Sequence, residues 1–332
     1  MDASLGTGRS LRRLTADASP QWVDGELDPH TSPGEVLIRV EFSSLNYKDA
    51  LAATGTAPVV RRHPLTLGID ASGTVAASED PRYQVGDRVV VTGFGLSEDH
   101  DGGWANWLRV PGDWVVRLPE GLDPEDAMAI GTAGLTAALA IHRLEEHGLT
   151  PGSGPVAVTG ASGGSGMLAV AMLARLGHEV VAVSGKAESH DLLRRLGASA
   201  VEDRPDVSAL RPLGRARWAA AVDCVGGAPL AWLLSTARHG GSVATFGNAA
   251  GNDLPTSVLP FILRAVNLLG INTGYYFDNE LRAALWQRLA GELRPDALWD
   301  IARTEPLSRV LALSTDLLEG RVTGRVVLDA GA

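Results

Sequence analysis

Val156-Ala157-Val158-Thr159-Gly160-Ala161-Ser162-Gly163-Gly164-Ser165-Gly166 is an apolar run that feeds a glycine-rich turn. Beyond the turn, Met167 to Leu176 has the pattern of an amphipathic helix. After Gly177-His178 a second apolar run, Glu179 to Val183, ends at Ser184-Gly185-Lys186. The order is strand, turn, helix, strand. Such a turn presents free backbone N–H groups and the positive end of a helix dipole to an anion, and this is how a dinucleotide pyrophosphate is held. The spacing Gly160-x-x-Gly163-x-x-Gly166 departs slightly from the commoner Gly-x-Gly-x-x-Gly, and the flanking strand and helix supply the context the glycines lack alone. The same residues spell Gly-x-Ser-x-Gly, a hydrolase elbow centred on Ser162. Gly164 and Gly166 suit a backbone cradle better. The segment upstream also reads as β-rich, where a hydrolase would carry further α/β units.

The end of the second apolar run selects the cofactor. NAD sites usually present Asp or Glu there, about 20 residues after the glycines, to the ribose 2′-hydroxyl. This chain has Ser184-Gly185-Lys186 instead. A carboxylate repels a 2′-phosphate, whereas a hydroxyl, an N–H and an ammonium bind it, so the expectation is NADPH. The plainer alternative makes Lys186 a solvated charge at a helix start.

Working outward, apolar runs alternate with helical patterns from 153 to 270: Val156–Thr159, Glu179–Val183, Ala200–Val201, Ala219–Val222, Ser242–Phe246 and Asn267–Gly270. That alternation predicts a doubly wound parallel sheet. Residues 1 to about 125 read as short strands separated by turn residues, a β-rich, barrel-like domain. Its opening, Met1 to Ser10, shows no clear strand. Pro124 to Glu146 turns helical, with Pro124 in the first turn. A helix near 281–290 leads to a tail whose strand-like Arg325-Val326-Val327-Leu328 rejoins the first domain. The expected division is a discontinuous catalytic domain, 1–127 with 292–332, around a cofactor domain, 128–291.

Composition narrows the function. The 332 residues are 45% apolar with a net charge of −10, which argues against a nucleic acid or a membrane surface as partner. Lys48 and Lys186 are the only lysines, and Cys224 is the only cysteine. One cysteine allows no internal disulfide and no zinc site built on several thiolates. The N-terminus lacks a secretory pattern. The most apolar stretch, Ala127 to Ile141, falls short of the roughly 20 residues that cross a bilayer. The expectation is a cytoplasmic protein.

A nicotinamide carries the hydride, so the protein must orient an acceptor and stabilise developing charge. The Tyr-x-x-x-Lys pair of short-chain reductases is absent, because Ser44 and Ala182 stand four residues before Lys48 and Lys186. Reduction of an activated C=C bond asks less than carbonyl reduction, since an enolate needs only hydrogen-bond donors and a slow proton. Ser43-Ser44-Leu45-Asn46-Tyr47-Lys48-Asp49-Ala50-Leu51 offers a compact polar set between a strand and a helix. Asn46 reads as a site residue or a cap, Asp49 as a site residue or a helix-start charge. Tyr47 reads as a donor on a flat apolar body, or as packing.

These motifs together resemble the zinc-free medium-chain dehydrogenase/reductases, in their acryloyl-CoA reductase and quinone-oxidoreductase-like branch. The likeness spans roughly 34–330 and rests on residues 43–51, Pro64 to Gly73, Ser78-Glu79-Asp80-Pro81-Arg82, Gly131-Thr132-Ala133-Gly134, 159–166, Val183 to Lys186 and Leu259 to Arg264. It implies an α/β protein: a GroES-like β-barrel catalytic domain plus a Rossmann doubly wound parallel sheet, a homodimer using NADPH. It implies metal-free reduction of the C=C bond of α,β-unsaturated carbonyl compounds, short enoyl-CoA thioesters such as acryloyl-CoA first. A quinone or secondary-metabolite enone reductase, and a non-catalytic NADPH-binding protein, stay open as alternatives. Ile69 and Asp70 stand where zinc-dependent relatives place histidine and glutamate.

By position, the resemblance implies that Tyr47 touches the nicotinamide end, and that Asn46 and Asp70 lie beside the reacting carbon. It gives Ser162, Gly163, Gly164 and Ser165 to the pyrophosphate. Ser184, Gly185, Lys186 and Arg204 fall to the adenosine phosphate, and Asn248, Ile262, Thr273 and Arg325 to the nicotinamide side. The chain departs from the family pattern at Gly103-Trp104-Ala105-Asn106-Trp107 and at the aromatic Asn272-Thr273-Gly274-Tyr275-Tyr276-Phe277. Trp104, Tyr275 and Tyr276 read either as packing or as walls of a site for a bulkier enone.

Overall fold

The computed structural model describes residues 7–26, 28, 30–274 and 277–331. Tyr275 and Tyr276 lie outside the described residues. The chain divides into two compact units, Met1–Thr132 with Gly274–Ala290 and Ala302–Ala332, and Ala133–Thr273 with Gly291–Ile301.

The strands in chain order begin with β1 (Thr7–Arg13), β2 (Gln21–Glu26), β3 (Glu35–Leu45), β4 (Leu65–Thr66), β5 (Asp70–Ser78), β6 (Arg88–Thr92), β7 (Trp107–Pro111) and β8 (Val116–Arg117). They continue with β9 (Val156–Thr159), β10 (Val180–Val183), β11 (Ala200–Glu202), β12 (Trp218–Asp223), β13 (Ala237–Thr245), β14 (Asn267–Gly270), β15 (Ala302–Pro306) and β16 (Arg325–Asp329).

In the first unit, β3 is the organising strand. One edge pairs with β5; the other pairs with β7 near its start and with β16 near its end. Val36, Ile38 and Val40 join Val75, Val89, Val91, Leu108 and Val110 in one core, as the alternation predicts. Contrary to expectation, a strand is present at the start: β1 pairs with β2 and β4. Leu11 is its one large apolar residue, so periodicity hid it. Cross-strand pairs hold it instead, with Leu11 opposite Trp22 and the Arg9 guanidinium 4.8 Å from the Trp22 ring centre.

The second unit is a six-stranded parallel sheet in the order β11-β10-β9-β12-β13-β14. Counted along the chain within the unit, the order is 3-2-1-4-5-6, reversing between β9 and β12. Every residue of β9 and β10 is buried, as parallel strands covered on both faces require. The helices in chain order are α1 (Tyr47–Thr54), α2 (Pro124–Glu146), α3 (Gly164–Arg175), α4 (His190–Arg195), α5 (Gly227–Thr236), α6 (Leu259–Arg264), α7 (Asn279–Ala290), α8 (Leu298–Ile301) and α9 (Val310–Leu318).

The units differ from the expected division at both boundaries, the first falling after Thr132 instead of 127. Helix α7 belongs to the first unit and 291–301 to the second. Side-chain anchors explain both. Arg282 of α7 donates to the Thr92 carbonyl at 2.8 Å and stacks on Phe94, while Arg175 of α3 donates to the Glu292 carbonyl at 3.0 Å. Helix α2, at 23 residues, extends past the expected apolar stretch and is long and apolar enough, by length and composition alone, to cross a membrane. Its apolar window is 83% buried within the protein, and it kinks at Gly131.

Candidate active site

The register of the first unit assembles a buried polar cluster. Val326 of β16 lies opposite Leu45 of β3, which sets Arg325 beside Asn46 across 279 residues of chain. β3 stops there, and α1 starts at Tyr47 with Asn46 as its N-cap. The Asp49 carboxylate, one turn on, accepts the Asn46 backbone N–H at 3.0 Å, the Asn46 amide at 3.0 Å and the Ile69 N–H at 2.9 Å. Asp70, first residue of β5, accepts from Ser44 Oγ at 2.6 Å, Asn46 Nδ2 at 2.9 Å, and the backbone N–H (3.0 Å) and hydroxyl of Thr132. The Asn46 amide therefore bridges two carboxylates. Its oxygen in turn accepts from Arg325 at 3.0 Å, while the rest of that guanidinium reaches the Leu45, Met128 and Ala129 carbonyls.

Gly131 makes room for this. Its φ of 53° breaks α2 and turns the Thr132 N–H towards Asp70. A Cβ there would lie 2.6 Å from an Arg325 nitrogen and 2.8 Å from an Asp70 oxygen.

Two carboxylates and one guanidinium share a site that water does not reach. Burial, then the charge of Asp70, pushes Asp49 from 3.8 up to about 7, against the pull of its three N–H donors. Burial lowers the Arg325 guanidinium, and the two aspartates oppose that. An acid whose folded value exceeds its unfolded value gives up its proton more readily when unfolded. Asp49 therefore stabilises the fold relatively at low pH, and that contribution is lost as pH rises from about 4 to about 7. Thermal melts should show wild-type Tm declining across this window and a shallower decline in Asp49→Asn. Identical slopes would mean that Asp49 stays ionised throughout.

Tyr47 heads α1 and keeps 41% of its surface exposed, so it is not a core tyrosine of this unit. Trp104 is packing: fully buried, it lies against Gly68 and donates from its indole to the Ser44 carbonyl at 3.3 Å. Asn106 is structural too, bonding the Arg9 N–H and the Ala330 carbonyl.

The second unit carries the other candidates just after the C-terminal ends of its strands, where parallel sheets bind ligands, except Ile262, which lies on α6 ahead of β14. Gly160 has a φ of 61°. Gly163 caps α3 without a side-chain bond, which leaves first-turn N–H groups open to an anion. A Cβ on Gly166 would sit 2.3 Å from the Gly160 carbonyl oxygen, so only glycine lets α3 approach the turn this closely. Ser162 is not among the residues with left-handed backbone, which removes the strained turn of a hydrolase elbow.

At the end of β10, the Ser184 hydroxyl accepts the Lys186 N–H at 3.1 Å. Arg204 lies directly over Gly185, where a Cβ would meet its Nε at 2.7 Å. Ser184, Gly185, Lys186 and Arg204 thus stand together. Asn248 and Ile262 are exposed; Thr273 is buried, its hydroxyl 3.0 Å from that of Thr136. The sequence reading missed Asp223. Fully buried at the end of β12, it accepts from Thr159 at 2.7 Å, Thr245 at 2.8 Å and the Gly226 N–H at 2.9 Å, tying three strand ends together. A carboxylate closing the apolar run Ala219–Val222 was the available signal. Among the described residues, no three His, Cys, Asp or Glu side chains gather as a metal-binding group.

Comparisons agree with this architecture. Residues 32–120 match the alcohol dehydrogenase GroES-like domain, and residues 164–291 match the zinc-binding dehydrogenase family. The chain is 49% identical over 302 residues to the acrylyl-CoA reductase AcuI of Ruegeria pomeroyi, covering 90% of this chain and 91% of the relative. It is 48% identical to YhfP of Bacillus subtilis, named for a quinone oxidoreductase, over 88% of this chain and 89% of that one. The solved YhfP structure, with NAD bound, aligns at a TM-score of 0.92 and 45% identity, covering 98% and 99% of the two chains. Escherichia coli YhdH with bound NADPH aligns at 0.91 and 43% identity, covering 97% and 99%. Matched along most of its length by sequence and by fold, with a GroES-like part and a Rossmann-like parallel sheet, the chain belongs to the medium-chain dehydrogenase/reductase family.

Proposed function

We propose that this protein is an NADPH-dependent oxidoreductase that reduces the C=C bond of α,β-unsaturated carbonyl compounds, short enoyl-CoA thioesters such as acryloyl-CoA foremost. The observation that carries this reading is the half-exposed Tyr47 standing on the buried Asn46–Asp49–Asp70–Arg325 cluster. The similarity to an acrylyl-CoA reductase favours the substrate class. In this reading NADPH, when bound, supplies the hydride.

The second unit's residues do the binding. Ser162, Gly163, Gly164 and Ser165 cradle the pyrophosphate at the start of α3. Ser184, Gly185, Lys186 and Arg204 take the 2′-phosphate, where two cations and a hydroxyl stand in place of a carboxylate. Asn248, Ile262 and Thr273 face the nicotinamide. Arg325, placed on that side by the family resemblance, acts through Asn46 by holding its amide. Hydride addition at Cβ leaves an enolate whose oxygen is held by hydrogen bonds, and Cα takes its proton either from the Tyr47 hydroxyl of the first unit, which solvent then reprotonates, or from water. Asn46 and Asp70 position that helix start. The first domain, on this reading, carries the acceptor and the second the cofactor.

NADPH oxidation should be followed with acryloyl-CoA, free enones and quinones side by side. The similarity to YhfP makes quinone reduction the second reading, and preference for a quinone over the thioester would select it. Tyr47→Phe should lower kcat about a hundredfold, the low end of what a positioned acid contributes, and lower it more than it weakens NADPH binding. An unaltered kcat would reduce Tyr47 to a surface residue. Val258 and Leu263 at α6, with Leu268 on the edge strand β14, are large exposed apolar residues and favour a homodimer through this edge. We place the protein in the cytoplasm, acting on a small molecule and not on nucleic acid or a membrane.

A further inference from the structure

Lys48 is the second residue of α1, in the first turn, where the helix dipole disfavours a cation. Something other than helix stability keeps one of the two lysines of the chain there. Its ammonium pairs with Glu98, and the other oxygen of that carboxylate takes the Arg61 guanidinium at 3.2 Å. The Arg61 backbone N–H also donates to the Glu98 carbonyl at 2.6 Å, which ties the two loops together. Glu98 is 13% exposed, whereas Lys48 and Arg61 are 45% and 63% exposed. The acid is sunk between the cations and leaves their outer N–H groups in solvent. Arg62 follows, exposed and without an ion pair among the described residues. It stands in the wall of a cavity of about 530 Å³ with Thr66, His100 and Arg12, which pairs with Asp101 at 3.5 Å, while Glu26, Asp28 and Glu35 also line that wall. Lys48, Arg61 and Arg62 against Glu98 leave a net charge of +2, in a chain whose total is −10.

We infer that Lys48, Arg61 and Arg62 bind the phosphates of a coenzyme A thioester, so that this strip selects carrier-bound enones over free ones. The inference rests on the enoyl-thioester reading above and adds the groups that recognise the carrier. Reduction at the acyl end makes no use of the pyrophosphate and 3′-phosphate, so their recognition needs a separate basic surface that the pantetheine arm can reach. The strip starts at the residue after Tyr47 and leads by way of Glu98 to Arg62. Arginine forks hold phosphate oxygens in pairs, and a lysine adds a point charge. Glu98 sets two of the cations side by side and spares the cost of ordering them on binding.

The test compares acryloyl-CoA with acryloyl-N-acetylcysteamine, which has the same reacting end and no phosphate, in wild type, Lys48→Gln and Arg61→Gln/Arg62→Gln. We expect KM for the CoA thioester to rise about tenfold in the double variant, worth some 1.4 kcal/mol, with KM for the short thioester and for NADPH unmoved. The salt dependence of kcat/KM for acryloyl-CoA should flatten along with it. An unchanged KM for the CoA thioester, or an equal rise for both thioesters, would overturn the inference. A rise confined to NADPH would assign the strip to cofactor phosphates and overturn it as well. A wild-type protein that oxidises NADPH with neither thioester would sink the enoyl-thioester reading itself.

Discussion

Gly166→Val is expected to weaken NADPH binding at least a hundredfold, about 3 kcal/mol. The atoms in the way are main chain, with the Gly160 carbonyl oxygen 2.3 Å and the Ala161 Cα 2.7 Å from the position of a Cβ. No side chain can swing aside, so the start of α3 must lift away from the turn. The N–H groups of Gly164 and Ser165 would move with it, and these are the groups proposed to hold the pyrophosphate. Titration of the reduced cofactor by fluorescence reads the Kd, and a thermal melt shows whether the unit is still folded. Gly25→Val, where a Cβ meets nothing within 4 Å, is the control and should leave both values at wild type. A Gly166→Val protein with wild-type affinity would remove the turn from the cofactor site.

Asp70→Leu should cost about 3–5 kcal/mol of stability, the range seen when one partner of a buried charged pair is removed. It takes the Asp70 acceptor from Ser44, from the Thr132 N–H and from the Asn46 amide, which keeps Asp49, and it leaves Arg325 without the first of its two stabilising charges. Asp49 partly offsets this, because loss of the neighbouring charge favours its ionised form and leaves one carboxylate for one guanidinium. Urea denaturation measures the effect. Asp70→Leu combined with Arg325→Met should be less damaging than the sum of the two single variants, since the pair is removed together. Strict additivity would mean that the two groups do not sense each other and that the cluster is a set of separate hydrogen bonds.

Much of the second unit could be read from residue order, since a strand buried on both faces, a glycine turn and a helix form one local unit. All six expected runs are strands of one parallel sheet. Ser184-Gly185-Lys186 was readable for the same reason, being the end of the next strand. Arg204 beside it was named from family likeness; its place over Gly185 depends on β11 pairing with β10. The start of the first unit was hidden because β1 takes its stability from a partner strand and carries almost no apolar alternation. That helix α7 groups with the first unit was not legible, because helical period says nothing about where a buried Arg282 will find its acceptors.

Local pattern, then, was enough for the two kinds of architecture, the glycine turn before α3 and the polar stretch around Asn46, since each depends on neighbours a few residues apart. It could not show that Asn46 joins Asp49 to Asp70, that Arg325 comes back from the far end of the chain to hold it, or that Gly131 clears the space. Those outcomes depend on strand register and on which charges share a site without water, and such free energies exist only once distant segments are packed together.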